Sequence, residues 1–314
     1  MLKIANCSLY HHTLPEGHRF PMEKYSLVPQ QLLYEGTCAP ENFFEPAMPD
    51  MNRVLTIHDA GYVESLLNQT LDRRAIRKMG FPLSAELVER ELRIAQGTID
   101  NCDYALKYGI SMNIAGGTHH AYRSHGEGFC LLNDQAIAAR YLLDKYCAKD
   151  KQVDSKARNM LIKKILIVDL DVHQGNGTAK IFEEEDAVFT FSMHGAGNYP
   201  FKKESSDLDI ALADGTSDSE YLSELKTVLP TIIQEQEPGF IFYLSGVDVL
   251  ETDKLGRLAL TLEGCKERDR YVLQMCKDLN IPVQVSMGGG YSPEIKTIIE
   301  AHANTFRLAQ EIYF

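Results

Sequence analysis

The sequence lacks the features that mark a membrane or secreted protein. No apolar run approaches the length needed to cross a bilayer, and the opening residues MLKIANCSLYHH carry too short an apolar run for a signal peptide. The seven cysteines are odd in number and no two form a CxxC pair, so the sequence indicates neither a disulfide framework nor a cysteine zinc site. We therefore expect a cytoplasmic protein in reducing surroundings.

The chain also lacks an excess of basic residues. Lysine and arginine number 32 against 44 aspartate and glutamate residues, which gives a formal net charge of -12 at pH 7. This balance argues against nucleic acid or an anionic membrane surface as the main partner. It would not repel a cationic, lysine-rich substrate.

No internal repeat, low-complexity tract or long linker divides the chain. The most linker-like segment is 148–159, AKDKQVDSKARN, which we expect to be a surface loop inside one domain rather than a boundary. Short apolar strands alternate with longer amphipathic segments elsewhere. This pattern predicts one α/β domain over residues 1–314, with a central, largely parallel β-sheet flanked by helices.

The most informative stretch is Lys163–Gly177, KKILIVDLDVHQGNG. Its apolar run Ile165–Val168 is typical of a strand buried on both faces of a parallel sheet. Strand alternation then predicts that Asp169, Asp171 and His173 point to one side. Because burying two carboxylates and an imidazole together is costly without a cation, the stretch predicts a divalent metal such as zinc. The alternative is that the two aspartates merely cap a turn.

Three further apolar segments also end in polar or glycine-rich residues. They are Ser111–Ile114 with His119 and His120, Phe240–Leu244 with Asp248 and Asp253, and Val283–Met287 with Gly288, Gly289, Gly290 and Tyr291. Each feature alone has an ordinary alternative, such as surface histidines, capping carboxylates or a core tyrosine. Open α/β sheets bind ligands outside the carboxyl ends of their strands, so four such ends predict one shared site. The glycine run lacks the Lys-Ser/Thr ending of a P-loop, and we expect it to let the backbone pass close to a substrate.

Taken together, these motifs resemble the zinc-dependent histone deacetylase family, within the arginase–deacetylase fold. The resemblance runs in order from about Leu14 to the C-terminus. Its most specific pieces are GGTHHA, GFCLLND at Gly128–Asp134, VDLDVHQGNG, GVDVLETDKLG and GGGY. The segments LPEGHRFPMEKY and MGFPLS, with the DVHQGNG form of the metal motif, indicate that class IV is the closest branch.

The resemblance implies two kinds of metal site. A catalytic zinc, with Fe2+ as the alternative, would be held by Asp171, His173 and Asp253, which leaves positions open for water and substrate. Such a metal polarises the scissile carbonyl and lowers the pKa of bound water. A structural K+ would be held by Asp169, Asp171, His173, Ser192 and the backbone oxygen of Met193.

The resemblance also assigns catalytic roles. His120 would be the general base and acid, His119 would have an electrostatic or orienting role, and Tyr291 would donate a hydrogen bond to the substrate carbonyl. Asp169 would accept a hydrogen bond from His119, and Asn176 would accept one from His120. Many family members carry aspartate at the position of Asn176. An amide oxygen still fixes the imidazole tautomer, but it supplies no negative charge.

The function that follows is hydrolysis of an acyl group, acetyl or longer, from a lysine side chain or a small acylated amine. Gly128 and Phe129 would line the acyl-lysine tunnel, with Gly289 beside the substrate and Tyr199 on the opposite wall. An acetylpolyamine amidohydrolase is one alternative, and an acyl-lysine-binding pseudoenzyme is another. An arginase-like enzyme with two metals needs an aspartate where Gly175 stands, which argues for a single metal.

Overall fold

An eight-stranded sheet runs through the computed structural model, which describes residues 1–146 and 162–314. The linker-like segment 148–159 lies outside the described residues. The strands are β1 Ile4–Ala5, β2 Phe43–Phe44, β3 Ile110–Asn113, β4 Ile165–Asp169, β5 Val188–Gly195, β6 Leu208–Leu212, β7 Phe240–Leu244 and β8 Val283–Ser286. Their order across the sheet is β2-β1-β3-β8-β7-β4-β5-β6, and all their pairings are parallel. The predicted single α/β domain with a parallel sheet is confirmed.

Helices flank this sheet. Those in the described part of the chain are α1 Lys24–Tyr34, α2 Met51–Leu55, α3 Ala60–Leu67, α4 Arg73–Met79, α5 Ala85–Tyr108, α6 Asp134–Tyr146, α7 Asn176–Phe182, α8 Asp218–Gln236, α9 Leu262–Asp278 and α10 Ile295–Tyr313. Short 3-10 turns lie at Ser8–Tyr10 and Pro40–Asn42. None of the described helices is both long enough and apolar enough to cross a membrane.

The ends of the long helices follow local side-chain chemistry. The Ser84 hydroxyl accepts a hydrogen bond from the backbone N–H of Leu87 at 3.1 Å, and this cap starts α5. That helix ends at Gly109, whose φ of 88° is left-handed. Helix α8 begins at Asp218, where Ser217 and Glu220 form a capping box.

The four strands that precede the chemistry-bearing motifs are neighbours in the sheet. Strands β3, β8, β7 and β4 lie side by side in that order, and their described residues are all buried. Because they run parallel, their carboxyl ends meet at one edge. The predicted convergence of the four motifs on that edge is therefore confirmed.

Strand β4 ends earlier than the expected alternation requires. Its last residue is Asp169, so Asp171 and His173 lie in the following segment rather than in the strand. The backbone N–H of Asp171 donates to Asp169 Oδ1 at 3.1 Å, and that of His173 donates to Asp171 Oδ1 at 3.0 Å. These local turns, rather than strand pleating, position the Asp171 and His173 side chains.

Candidate active site

Three buried side chains converge at the carboxyl edge of the sheet. Asp171 and His173 follow β4 and Asp248 follows β7, and one ligand atom from each lies within 4.8 Å of the others. His173 Nδ1 is 3.0 Å from Asp171 Oδ1 and 3.2 Å from Asp248 Oδ2. Burial, together with the charge of Asp171, raises the pKa of Asp248 to about 7. Two carboxylates and an imidazole this close together are a suitable donor set for one divalent cation.

The hydrogen bonding of Asp248 gives an independent test of that fit. Its Oδ1 accepts the backbone N–H of Val172 at 3.0 Å, whereas the buried Oδ2 has no hydrogen-bond partner among the described residues. Buried carboxylate oxygens nearly always have a partner. A buried oxygen that accepts no hydrogen bond and faces the His173 ring nitrogen at 3.2 Å is what a metal ligand requires, so the residues present fit a metal.

Asp248, rather than Asp253, completes this group in the structure, so the geometry differs from the ligand set expected from the sequence. Asp253 Oδ1 accepts the backbone N–H groups of Leu255 and Gly256 at 2.8 and 2.9 Å, and its Oδ2 accepts that of Tyr291 at 2.6 Å. Both oxygens are thus engaged by backbone donors, and they hold the local turn against the segment that carries Tyr291. The motif GVDVLETDKLG contains both aspartates, and the one nearer the strand end reaches the cluster.

The tandem histidines are held by different partners. His119 Nδ1 lies 2.6 Å from Asp169 Oδ2, and His120 Nδ1 lies 2.6 Å from Asn176 Oδ1, so both predicted hydrogen bonds are confirmed. Burial opposes protonation of His119, but the carboxylates of Asp169 and Asp171 outweigh it and raise the pKa of His119. Burial and the charge of His119 hold the pKa of His120 well below its usual range. The carboxylates thus favour a proton on His119, whereas burial disfavours one on His120.

The glycine run after β8 passes directly beside the metal cluster. The Gly289 backbone N–H donates to Asp171 Oδ2 at 2.9 Å, and a Cβ at Gly289 would clash with the Asp248 carboxylate. Tyr291 lies two residues after Gly289, and its ring centroid is 6.4 Å from that of His173. The close backbone approach expected of this run is present, and it explains why a residue without a Cβ is needed.

A cavity of about 460 Å3 leads to these groups. Gly128, Phe129 and Tyr199 line it with His120 and Tyr291. A Cβ at Gly128 would lie 2.6 Å from the His120 ring, and Phe129 itself has a positive φ of 67°. Tyr199 stands edge-on to His120, with ring centroids 5.0 Å apart. The residues predicted to form the tunnel thus surround the candidate base.

Two charged residues of the site were missed from the sequence. Lys24 is completely buried, and its ammonium donates to the Gly288 carbonyl oxygen at 2.9 Å. Glu127 is buried beside the histidine pair, where its carboxylate accepts hydrogen bonds from Asn176 and Tyr199. Lys24 lies within the segment LPEGHRFPMEKY, and Glu127 immediately precedes GFCLLND. The position of Lys24 inside one conspicuous motif and that of Glu127 next to another are the signals that the sequence offers for them.

The predicted potassium site is compatible with the sheet register. Asp169 on β4 pairs with Ser192 on β5, so their oxygen atoms belong to neighbouring strands. The Ser192 hydroxyl lies 3.0 Å from His194 Nδ1. Met193 follows directly on β5, and the cation site itself stays a prediction.

Comparison with known proteins gives the family. Residues 18–306 match the family model for the histone deacetylase domain. The chain belongs to the histone deacetylase family. It is 41% identical over 300 residues to an uncharacterized protein of Picosynechococcus sp., covering 96% of this chain and 95% of that relative. It is 25% identical to Histone deacetylase 2 of Arabidopsis thaliana, covering 90% of this chain and 72% of that relative.

The chain is also similar to a bacterial protein of another name and to a solved histone deacetylase structure. The acetoin utilization protein AcuC of Staphylococcus aureus is 24% identical, with 92% of this chain and 76% of that protein covered. A crystal structure of a histone deacetylase homologue complexed with SAHA superposes with a TM-score of 0.79 at 22% identity. That superposition covers 97% of this chain and 82% of the other, and it establishes the shared fold.

Proposed function

We propose that the chain is a metal-dependent deacylase that hydrolyses the amide of an acylated lysine side chain. The observation that carries this proposal is the convergence of Asp171, His173 and Asp248 beside the tandem histidines. Membership of the histone deacetylase family supports the same reaction class. A Zn2+ ion, or Fe2+, held by these three side chains would polarise the amide carbonyl and lower the pKa of a water molecule.

The protein groups around that centre then have distinct tasks. His120 is neutral and its Nδ1 donates to Asn176, so its Nε2 is free to take a proton from the attacking water. The same nitrogen returns the proton to the leaving lysine amine. Tyr291 lines the cavity with His120, where its hydroxyl can donate a hydrogen bond to the carbonyl oxygen as negative charge develops there. His119 is held in place by Asp169 and has an orienting role beside His120.

The cavity walls favour an acyl-lysine of a protein or peptide over an acetylpolyamine. Arg19, Lys78 and Arg257 line the cavity, and no acidic side chain does so among the described residues. A polyamine would bring further positive charges toward these three cations. The aromatic walls Phe129 and Tyr199 suit the apolar stem of one lysine. Class IV resemblance leaves longer acyl groups open beside acetyl.

We also propose that the protein works in the cytoplasm and belongs to class IV of the family. The six cysteines of the described residues are all buried and unpaired, which supports a reducing, cytoplasmic environment. The segments LPEGHRFPMEKY and MGFPLS support class IV as the branch. Neither point affects the assignment of the reaction.

A substrate panel tests the proposed reaction. The metal-loaded protein is incubated with an acetyl-lysine peptide, the same peptide carrying a longer acyl chain, and an acetylpolyamine. We expect release of the acyl group from at least one peptide. Turnover of the polyamine alone would replace the proposal with an acetylpolyamine amidohydrolase. Binding of the peptides without any turnover would support a pseudoenzyme.

A further inference from the structure

Glu127 is a buried carboxylate with a donor at each oxygen. Its side chain is only 5% exposed, and its Oε1 accepts hydrogen bonds from Asn176 Nδ2 at 2.6 Å and from the Tyr199 hydroxyl at 2.7 Å. Its Oε2 forms an ion pair with Lys78 and lies 3.6 Å from His125 Nε2. Burial opposes ionisation, but the hydrogen bonds donated to it lower the pKa of Glu127 below its ordinary value. The residue is therefore an anion at neutral pH.

An ionised carboxylate can only accept hydrogen bonds, and this fixes the orientation of Asn176. The amide must turn its Nδ2 toward Glu127, which leaves its Oδ1 facing His120 Nδ1 at 2.6 Å. An amide oxygen only accepts, so the proton of His120 must be on Nδ1. The Nε2 atom of His120 is then left with the free electron pair that a base needs.

A second contact gives the same orientation. The Tyr122 hydroxyl donates to Glu204 at 3.1 Å, so its oxygen is available to accept from Asn176 Nδ2 at 3.0 Å. Both groups that face Nδ2 are thus acceptors. Rotating the Asn176 amide by half a turn would place its oxygen against the Glu127 carboxylate, which electrostatic repulsion forbids.

We propose that Glu127 is a positioning residue for the candidate base, because it locks Asn176 and thereby holds His120 in the Nδ1-protonated tautomer. Asp169 does this for His119 directly, whereas Glu127 acts on His120 through one intervening amide. The Glu127 carboxylate, acting through the Asn176 amide, thereby compensates for the lack of an aspartate at position 176. The inference rests on the proposed function for its kinetic consequence only, since the tautomer itself is a property of the protein.

The Lys78–Glu127 pair has a simpler interpretation as a surface ion pair that only stabilises the fold. Lys78 is half-exposed, which agrees with that view. However, the inward oxygen of Glu127 contacts Asn176 and Tyr199 rather than solvent. A purely stabilising role would not be restored by moving the negative charge to residue 176, and this difference provides the test.

The kinetic test uses the zinc-loaded enzyme, an acyl-lysine peptide and three variants. We expect Glu127→Gln to lower kcat about 10- to 100-fold with little change in zinc content, because glutamine can donate to Asn176 and release its orientation. Adding Asn176→Asp to that variant places a carboxylate directly on His120, so the double variant should recover at least tenfold in kcat. Glu35→Gln, which removes a carboxylate paired with Arg307 outside the cavity, is the matched control and should keep kcat unchanged.

The tautomer is measured independently of activity. Two-bond nitrogen–proton correlation spectra of the zinc-loaded protein should show His120 protonated at Nδ1 in the wild type and a mixture of tautomers in Glu127→Gln. An unchanged Nδ1 tautomer in that folded variant would overturn the inference even if the wild type hydrolysed nothing. A double variant no faster than Glu127→Gln would overturn its kinetic consequence, whereas an inactive wild type with the expected spectra would count against the proposed function alone.

Discussion

Asp248 Oδ2 lies 3.2 Å from His173 Nδ1 and has no hydrogen-bond partner among the described residues. This relationship separates Asp248 from Asp253, whose carboxylate is engaged by three backbone N–H groups. The two aspartates lie in one short motif, yet only one has an oxygen available for a metal. Their substitution should therefore have different effects.

Asp248→Asn should lower zinc affinity about 100-fold or more, because it removes one of three ligands that the structure brings together. Asp253→Asn should keep the metal, although its Nδ2 group cannot accept a backbone hydrogen bond as the replaced carboxylate oxygen does, which will reduce stability. Elemental analysis after dialysis against a chelator of known affinity measures both effects. Retention of zinc by Asp248→Asn, with loss from Asp253→Asn, would restore the ligand set expected from the sequence.

Tyr291→Phe should lower kcat about 100- to 1,000-fold while zinc content stays the same, because only the donor to the developing oxyanion is removed. The ring packs against Phe20 and Phe129 at centroid distances of 5.9 and 6.0 Å, and phenylalanine preserves that packing. Steady-state kinetics with zinc analysis on the same sample checks this prediction. Unchanged turnover would remove Tyr291 from the proposed mechanism.

Gly128→Ala should be more harmful than Gly36→Ala. Both glycines have positive φ, 56° and 77°, so both substitutions introduce backbone strain of about 1 kcal/mol or more. Only Gly128 also lies close to a neighbouring side chain, because an added Cβ would be 2.6 Å from the His120 ring. We expect lost activity for Gly128→Ala and nearly normal activity for Gly36→Ala, whose Cβ meets no atom within 4 Å. Equal activities would show that the close approach is unimportant.

The free energy of unfolding should fall in acid because of His58. Burial lowers the pKa of His58 from 6.5 to about 4, and the neutral ring bonds the Tyr122 carbonyl oxygen and the Asn133 N–H. A lowered pKa in a base means that the folded state disfavours the proton. The contribution of neutral His58 to the free energy of unfolding is therefore fully present above pH 6.5. It falls by about 3 kcal/mol as the pH drops toward 4.

Denaturant titrations between pH 4 and pH 8 measure this effect, with His58→Gln as the comparison. The glutamine amide can donate and accept but does not titrate, so the variant should lose less stability between pH 6.5 and pH 4 than the wild type. Parallel pH dependences of the two proteins would show that His58 is not the responsible group.

The sequence was informative wherever local pattern determines structure. Ile165–Val168 predicted a buried strand because its apolar run is continuous, and the four strand ends predicted a shared edge because the strands are parallel. Both histidine partners were also identified correctly, at Asp169 and Asn176. In each case a motif carried the information, either through its own residues or through the resemblance to a family.

The missed residues depend on contacts between distant parts of the chain. Glu127 reaches Tyr199 across 72 positions, and Lys24 reaches Gly288 across 264. No local periodicity encodes such a contact, because it exists only after the sheet has formed. The choice between Asp248 and Asp253 has a different cause, since both follow β7 closely and only the turn geometry decides which one enters the cluster.

Direct product analysis tests the central claim. The zinc-loaded protein is incubated with an acetyl-lysine peptide, and mass spectrometry follows the loss of the acetyl group while acetate is quantified. The account predicts equal amounts of free lysine peptide and acetate, with neither formed after metal removal by a chelator and recovery when zinc is restored. A folded, zinc-loaded protein that binds acetylated and longer-acylated peptides yet leaves them all intact would contradict it.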